Sequence, residues 1–181
     1  MIRMTVADML EATGAALVTG SASVTFEGVC IDSRAVNSGG AFVALVGERV
    51  DGNEFARSAI EDGAHVVVLT RAADEELCEV AALYGAVVVR ALADDGEEFM
   101  LRLARAWRLR NPQWAVVGVT GSVGKTTTKD MLAAALSTTW VTHATRGNFN
   151  NLLGVPLTLF GASATDEAVV VEMGMNMPGE M

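Results

Sequence analysis

The chain of 181 residues is 51% hydrophobic and 19% charged with mean hydropathy +0.35, enough apolar material for one or two small cores and too much for intrinsic disorder. Its 13 basic and 22 acidic side chains give a formal charge of −9, a field that repels nucleic-acid backbones and anionic membrane surfaces. An anionic ligand must therefore be held locally, by backbone N–H groups and a few placed cations, and the only lysines are Lys125 and Lys129.

The segment from Thr5 to Thr13 opens with a capping residue, sets Val6, Met9 and Leu10 at helical spacing and stops at Gly14, which predicts a short helix. Ala22 to Ile31 reads as strand interrupted at Gly28, DSRAVNSGG as turns, and AFVALVG as an apolar strand ending at Gly47. After the Asp51-Gly52 turn signal, FARSAIEDGA places Phe55, Ala59 and Ile60 on one helical face and closes at Gly63. HVVVLT is a buried parallel strand, a helix follows from about Asp74 to Tyr84, and AVVVR at 86–90 is a second apolar strand. Residues 95–110 begin acidic and end basic, as the helix dipole favours, with Phe99, Leu103, Ala106 and Trp107 on one stripe. Asn111-Pro112 ends that helix, and WAVVGVT at 114–120 starts another buried strand.

This order predicts an α/β chain in three parts: a small α/β unit over residues 1–90, a bridging helix and linker over 91–111, and the start of a second parallel-sheet domain over 112–181. Arg102, Arg105, Arg108 and Arg110 read as a solvated basic face on the bridging helix, with anion recruitment the lesser alternative. Trp107 and Trp114 read as packing residues between the domains. Cys30 and Cys78, alone and far apart, match neither a metal knuckle nor a disulfide framework. Asp8 and Glu11 interrupt the apolar N-terminus, and no charge-free apolar run is long enough to span a bilayer. A cytoplasmic protein without membrane insertion is expected.

The strongest chemical signal is VVGVTGSVGKTTTKDMLAAAL, a strand, a glycine-rich turn and a run of helix formers. Gly121 and Gly124 let the backbone wrap close to a phosphate chain, and the N-terminus of the following helix aims N–H groups at the same anion. The loop Thr120, Gly121, Ser122, Val123, Gly124, Lys125, Thr126 and Thr127 is thus a candidate ATP site, with Lys125 on the β- and γ-phosphates and Thr126 on Mg²⁺. The strict G-x-x-x-x-G-K-[ST] spacing is not met, since Val119 stands where the first glycine belongs. The alternative is a solvated turn ahead of an ordinary helix, yet strand and helix supply the context that the motif demands.

Glu172 follows the apolar run Ala168 to Val171, which puts it at the C-terminal end of a strand beside the loop, where ligands collect in open α/β sheets. There it is either a Mg²⁺ ligand or an ordinary surface or N-cap glutamate. Asn148, Asn150 and Asn151 either cap the helix starting near Leu152 or hydrogen-bond substrate and phosphate, and three amides exceed what one cap needs. His143 and Arg146 read as solvated loop residues, with contact to phosphate the lesser alternative. Asp32 and Arg34 read as a pair across a turn, with Ser33 between them, and Glu48, Arg49 and Val50 end the next strand.

TGSVGKTTTKDM, TRGNFNNLLGVPLTL and VVVEMGMNMPGEM together resemble the ATP-binding core of the Mur ligases of bacterial cell-wall synthesis. DSRAVNSGGAFVALVGERVDGNEFARSAIEDGA is similar to the N-terminal uridine-binding domain of that family. The family's loop is a T-G-x-x-G-K-T variant, so Val119 is no obstacle. The resemblance implies a small N-terminal uridine-binding α/β domain followed by an incomplete P-loop-type parallel-sheet ATPase domain. It assigns ATP to the loop from Thr120 to Thr127 and to Asn148, and catalysis to Lys125, Glu172, Asn150 and Asn151. Mg²⁺ falls to Thr126 and Glu172, and the uridine nucleotide to Ser33, Arg34, Glu48, Arg49 and Val50, with Arg49 suited to the diphosphate.

The GNFNN and EMGMNMPGE segments point to the member that joins D-alanyl-D-alanine to UDP-MurNAc-tripeptide through an acyl phosphate. Three positions depart from the pattern: Asn53 and Met177 stand where His is expected, and Leu152 where an acidic residue is expected. Family members run to more than twice this length, so the resemblance further implies a fragment that is inactive alone and needs the remainder of the ligase or a covering chain. The other readings are a nucleotide- or UDP-sugar-binding module without ligase activity and an unrelated P-loop NTPase or kinase.

Overall fold

The structure, a computed structural model, describes residues 1–147 and 149–174. In chain order the elements are β1 (Arg3–Thr5), α1 (Val6–Thr13), β2 (Ala16–Thr19), β3 (Thr25–Glu27), β4 (Val29–Cys30), β5 (Ala41–Val43), α2 (Ala56–Glu61) and β6 (Val66–Leu69). They continue with α3 (Glu75–Tyr84), β7 (Val87–Arg90), α4 (Gly96–Arg110), β8 (Ala115–Val119), α5 (Lys125–Leu136), β9 (Thr142–Ala144), α6 (Gly154–Gly161) and β10 (Ala168–Glu172). This is an α/β fold in two compact units: Arg3–Leu103, and Met1–Ile2 with Ala104–Met181.

The first unit is built on a five-stranded sheet of order β2-β7-β6-β5-β4, parallel except where β2 runs against β7. A parallel sheet is stable when both faces are covered, which is why its central strands carry continuous valine runs. Val66, Val67 and Val68 of β6 and Val87, Val88 and Val89 of β7 are all fully buried. Val67 and Val88 share one face with Phe42, Ala59, Ile60 and Ala81, the core formed under α2 and α3. At the start of the unit, α1 has a reciprocal capping box between Thr5 and Asp8 and ends on Gly14 at φ 70°, a left-handed conformation that costs glycine least.

Four expectations need correction here. β1 and β3 form an antiparallel pair, Met4 opposite Phe26, that no local pattern announced. β2 was also missed, because Leu17 and Val18 lie on an edge strand, 40% and 41% exposed, without in-out alternation. The strand expected to run to Gly47 leaves the ladder after Val43, and Val46 meets only Asp51 in an isolated bridge. Phe55 is 41% exposed, since the chain forms a tight 3₁₀ turn over Gly52–Phe55 and α2 begins one residue later.

In the second unit the described residues form a parallel sheet of order β8-β10-β9. β10 is central and buried from end to end, pairing Val170 with Val117 and with Ala144. β8, expected to be buried, is exposed from Ala115 to Gly118 because it lies at the edge with no strand on its other side among the described residues. Trp107 and Trp114, expected between domains, both lie in this unit and pack edge to face with ring centroids 6.0 Å apart. Their indole N–H groups donate to Ala162 O and Ser163 O. Arg102, Arg105 and Arg110 of α4 are exposed, as a solvated face requires, and Arg108 is half-buried. Arg102 pairs with Glu98, and Arg108 donates to Asn111 O and Trp114 O, closing the helix end. No described helix is long and apolar enough to cross a membrane.

Candidate functional site

β8 delivers the chain to the glycine-rich turn, and α5 carries it away. Gly124 is the N-cap of α5 at φ 77° and Gly121 sits at φ 146°, so both occupy backbone conformations that a side chain would strain. Having no side chain, the Gly124 cap leaves the first turn of α5 open toward the loop, and a helix N-terminus of that kind favours an anion. Lys125 folds back on its own loop, Nζ donating to Gly121 O at 2.8 Å.

Parallel pairing fixes what faces this loop. Glu172, the last residue of β10, stands opposite Val119, the last of β8, so its carboxylate emerges beside the turn. Thr126 Oγ1 donates to Glu172 Oε1 at 3.2 Å, and Asn150 Nδ2 donates to the same oxygen at 2.8 Å. Glu172 is 1% exposed, and its Oε2 is buried without a hydrogen-bond partner among the described residues. Leaving a carboxylate oxygen dry and unpaired is expensive, so the arrangement suits a site completed by a bound cation. A cleft of about 350 Å³ is lined by residues 122–127 together with Asn150 and Glu172.

The cleft thus gathers Ser122, Val123, Gly124, Lys125, Thr126, Thr127, Asn150 and Glu172 in one place. Thr120 and Gly121 precede it, Gly121 acting through its carbonyl. Asn151 does not line it. Its Oδ1 accepts from Gly154 N at 2.8 Å, so this amide does the capping at the entry to α6. Asn148 and Met177 lie outside the described residues. His143 is half-buried with its ring against Gly161, and burial pushes its pKa down. Arg146 is exposed.

Two residues of this network escaped the sequence reading. Thr145 Oγ1 accepts from the Glu172 backbone N–H at 2.9 Å, and Lys129 Nζ donates to Thr145 O at 2.9 Å. Lys129 had a signal that could have been used: as one of two lysines, four residues after Lys125, it lies on the same side of α5.

In the first unit Ser33 is buried at the start of a 3₁₀ turn, after β4, and Glu48, Arg49 and Val50 lie exposed in the loop after β5. β4 and β5 are parallel neighbours, so the two loops leave the same end of the sheet. Arg34 is a bidentate partner of Asp32, at 2.9 and 2.7 Å, and its hydrogen bonds pull the Asp32 carboxyl down to about 2. Asn53, where His was expected, is a structural residue. Its amide bonds Asp51 and Thr70 and ties the loop to the end of β6.

Residues 25–108 match the Mur ligase family catalytic domain and residues 119–181 the Mur ligase middle domain. The chain is 37% identical, over its whole length, to a UDP-N-acetylmuramoyl-tripeptide–D-alanyl-D-alanine ligase of Bacillus subtilis, of which it covers 38%. It is 36% identical over 88% of its length to the ligase of the same name from Escherichia coli, covering 33% of that chain. Among solved structures, MurF from Acinetobacter baumannii superposes with a TM-score of 0.83 at 32% identity, over 99% of this chain and 38% of that one. A MurF ligase from Thermotoga maritima in complex with ADP gives a TM-score of 0.70 at 30% identity, over 85% of this chain and 33% of that one. The chain therefore spans about a third of the length of these relatives.

Proposed function

As the chain belongs to the Mur ligase family, we propose that it carries the uridine-binding domain and the phosphate-binding part of the ATPase domain of an ATP-dependent ligase, one that joins D-alanyl-D-alanine to UDP-MurNAc-tripeptide in peptidoglycan precursor synthesis. The observation that carries this reading is the meeting of the Thr120–Thr127 loop with the buried, half-satisfied carboxylate of Glu172. The parts are residues 1–90 for the UDP-substrate, 91–111 as bridging helix and linker, and 112–181 for the nucleotide. Consumption of a nucleotide-activated sugar peptide and ATP fits a cytoplasmic setting.

A carboxylate resists attack by an amine until one oxygen becomes a leaving group, and phosphorylation by ATP creates an acyl phosphate that provides one. The residues of this chain contribute positioning and charge. Lys125 would exchange Gly121 O for the β- and γ-phosphate oxygens, while loop N–H groups hold the rest of the phosphate chain. Asn150, anchored on Glu172, would lie against the transferred phosphoryl group. Asn151 serves the same reaction by fixing the turn that carries Asn150. Asn148 is assigned to the nucleotide on sequence grounds. In the first unit Ser33, Arg34, Glu48, Arg49 and Val50 would hold the uridine diphosphate.

Mg²⁺ fits the donor set. It takes hard oxygen ligands, usually one or two carboxylates or hydroxyls with phosphate oxygens and water, and Glu172 Oε2 with Thr126 Oγ1 offers that combination. Bound there, the ion would neutralise charge on the leaving phosphate.

The exposed edge at β8 and the length of the relatives support the further reading that turnover uses the remaining ligase segment or another covering chain. Phosphate release tests the proposal, measured with the 181-residue chain and with a version extended by the remaining segment of one of the relatives. Release from the extended protein that requires both UDP-MurNAc-tripeptide and D-alanyl-D-alanine supports it. Release independent of both would identify a P-loop NTPase or kinase, and nucleotide binding without release in either version a binding module.

A further inference from the structure

Besides Thr126 and Asn150, Glu172 is held by a group that does not line the cleft. The ladder between β9 and β10 ends where Thr145 N donates to Val170 O at 2.9 Å, and beyond that point β9 supplies no carbonyl to the next β10 amide. Thr145 Oγ1 takes over, accepting from the Glu172 N–H at 2.9 Å. The same hydroxyl lies 3.2 Å from Thr158 Oγ1, which is also 2.9 Å from Gly154 O, at the start of α6. From the α5 side, the Thr145 carbonyl accepts from Lys129 Nζ at 2.9 Å, and Asp130 Oδ1 balances the lysine charge at 2.7 Å. Thr145, Thr158, Lys129 and Glu172 are all at most 5% exposed.

A buried ammonium costs more than an apolar side chain of equal volume unless its bonds serve a purpose. Here they hold one carbonyl, and that residue's hydroxyl holds the backbone of the carboxylate. Thr145 also stands five positions before Asn150, whose amide shares Glu172 Oε1 with Thr126. We infer that Thr145, clamped by Lys129, is a positioning residue: it sets the height of Glu172 at the end of β10, so that Oε1 stays engaged by Thr126 and Asn150 while Oε2 is kept for a nucleotide-bound divalent cation. The inference rests on the reading of Glu172 as a cation ligand.

Outer partners of metal ligands are typically worth about 10–100-fold in metal affinity, which sets the size of the effect. The test is calorimetric titration of the 181-residue chain with ADP, with and without Mn²⁺, comparing Thr145→Val, Thr145→Ser and Glu172→Gln, with thermal melts to confirm folding. Thr145→Val should weaken binding of Mn²⁺·ADP about tenfold and leave metal-free ADP within about twofold, while Thr145→Ser, which keeps the hydroxyl, restores the parent value. Should Thr145→Val fail to fold, Lys129→Gln takes its place, with a smaller loss confined to the metal complex. If Glu172→Gln loses the metal complex but Thr145→Val, or Lys129→Gln in its place, does not, or if metal-free ADP falls equally, the positioning role is overturned. If Glu172→Gln itself binds Mn²⁺·ADP like the parent, the cation reading fails and this inference falls with it.

Discussion

β6 in the first unit and β8 in the second are both short, valine-rich and parallel, and both lead toward loops at the carboxyl end of their sheets. Val66, Val67 and Val68 are 0% exposed, whereas Val116 and Val117 are 37% and 36% exposed. β6 has β5 on one side and β7 on the other, with α2 against it; among the described residues β8 has a strand on one side only, β10, with α5 touching it. Apolar composition therefore announces a strand that seeks cover, and the number of neighbours decides how much it receives. The first unit devotes its buried surface to a closed core, and the second concentrates its buried polar groups around one carboxylate.

The sharpest way to break this contrast is to shorten an apolar side chain in each sheet. Phe42→Ala, in the packed core of the first unit, should cost about 3–5 kcal/mol, and Val117→Ala on β8 less than about 0.5 kcal/mol. Hydrogen exchange of strand amides under increasing urea reads each unit separately. Equal losses in the two sheets would show that β8 is covered in solution.

Function should respond in the opposite unit. Lys125→Ala removes a group whose described bond is to Gly121 O, so folding should be preserved while ADP affinity drops about 10–100-fold, the usual worth of a charge-assisted hydrogen bond. Titration with a fluorescent nucleotide measures it, and unchanged affinity would remove the loop from the site. Thr5→Ala, which breaks the α1 capping box, should instead cost about 1 kcal/mol of first-unit stability and leave nucleotide binding alone.

The smallest effect is electrostatic. Hydrogen bonds from Arg34 hold Asp32 at about 2 instead of 3.8. A folded-state pKa below the unfolded one means that the pair stabilises above about pH 3.8 and that this contribution fades as pH falls through about 2. Because both side chains face solvent, its energy is small and salt-screened. The carboxyl carbon shift of Asp32 should titrate near 2, and Arg34→Ala should return the midpoint toward 3.8. If uridine diphosphate competes for Arg34, adding UDP should move the midpoint in the same direction.

Much of this architecture was legible locally. Thr5 and Gly14 bracket α1, Asp74 and Gly85 bracket α3, and the glycines at 121 and 124 announce the tight turn ahead of α5, because each signal depends on the backbone of a few adjacent residues. The pairing of β1 with β3 was not legible, since it joins residues more than twenty positions apart, nor was the exit of the chain after Val43, where the local bridge of Val46 with Asp51 replaces the ladder. Within the site, residue types alone could not rank Asn150 above Asn151. One bonds Glu172 and the other caps α6, a difference set by where each amide points after the turn.

What the sequence by itself determined is the class of fold and the candidate for its chemistry: an acidic α/β chain with one glycine-rich loop of phosphate-binding pattern, carrying Lys125. What only the tertiary structure decided is how that loop is completed. Glu172 comes beside Thr126 because β10 pairs in parallel with β8, and among the described residues its buried carboxylate has one oxygen without a partner while Thr126 and Asn150 both engage the other. Strand register over long sequence separations places those groups within hydrogen-bond range, and no local preference of the chain encodes that distance.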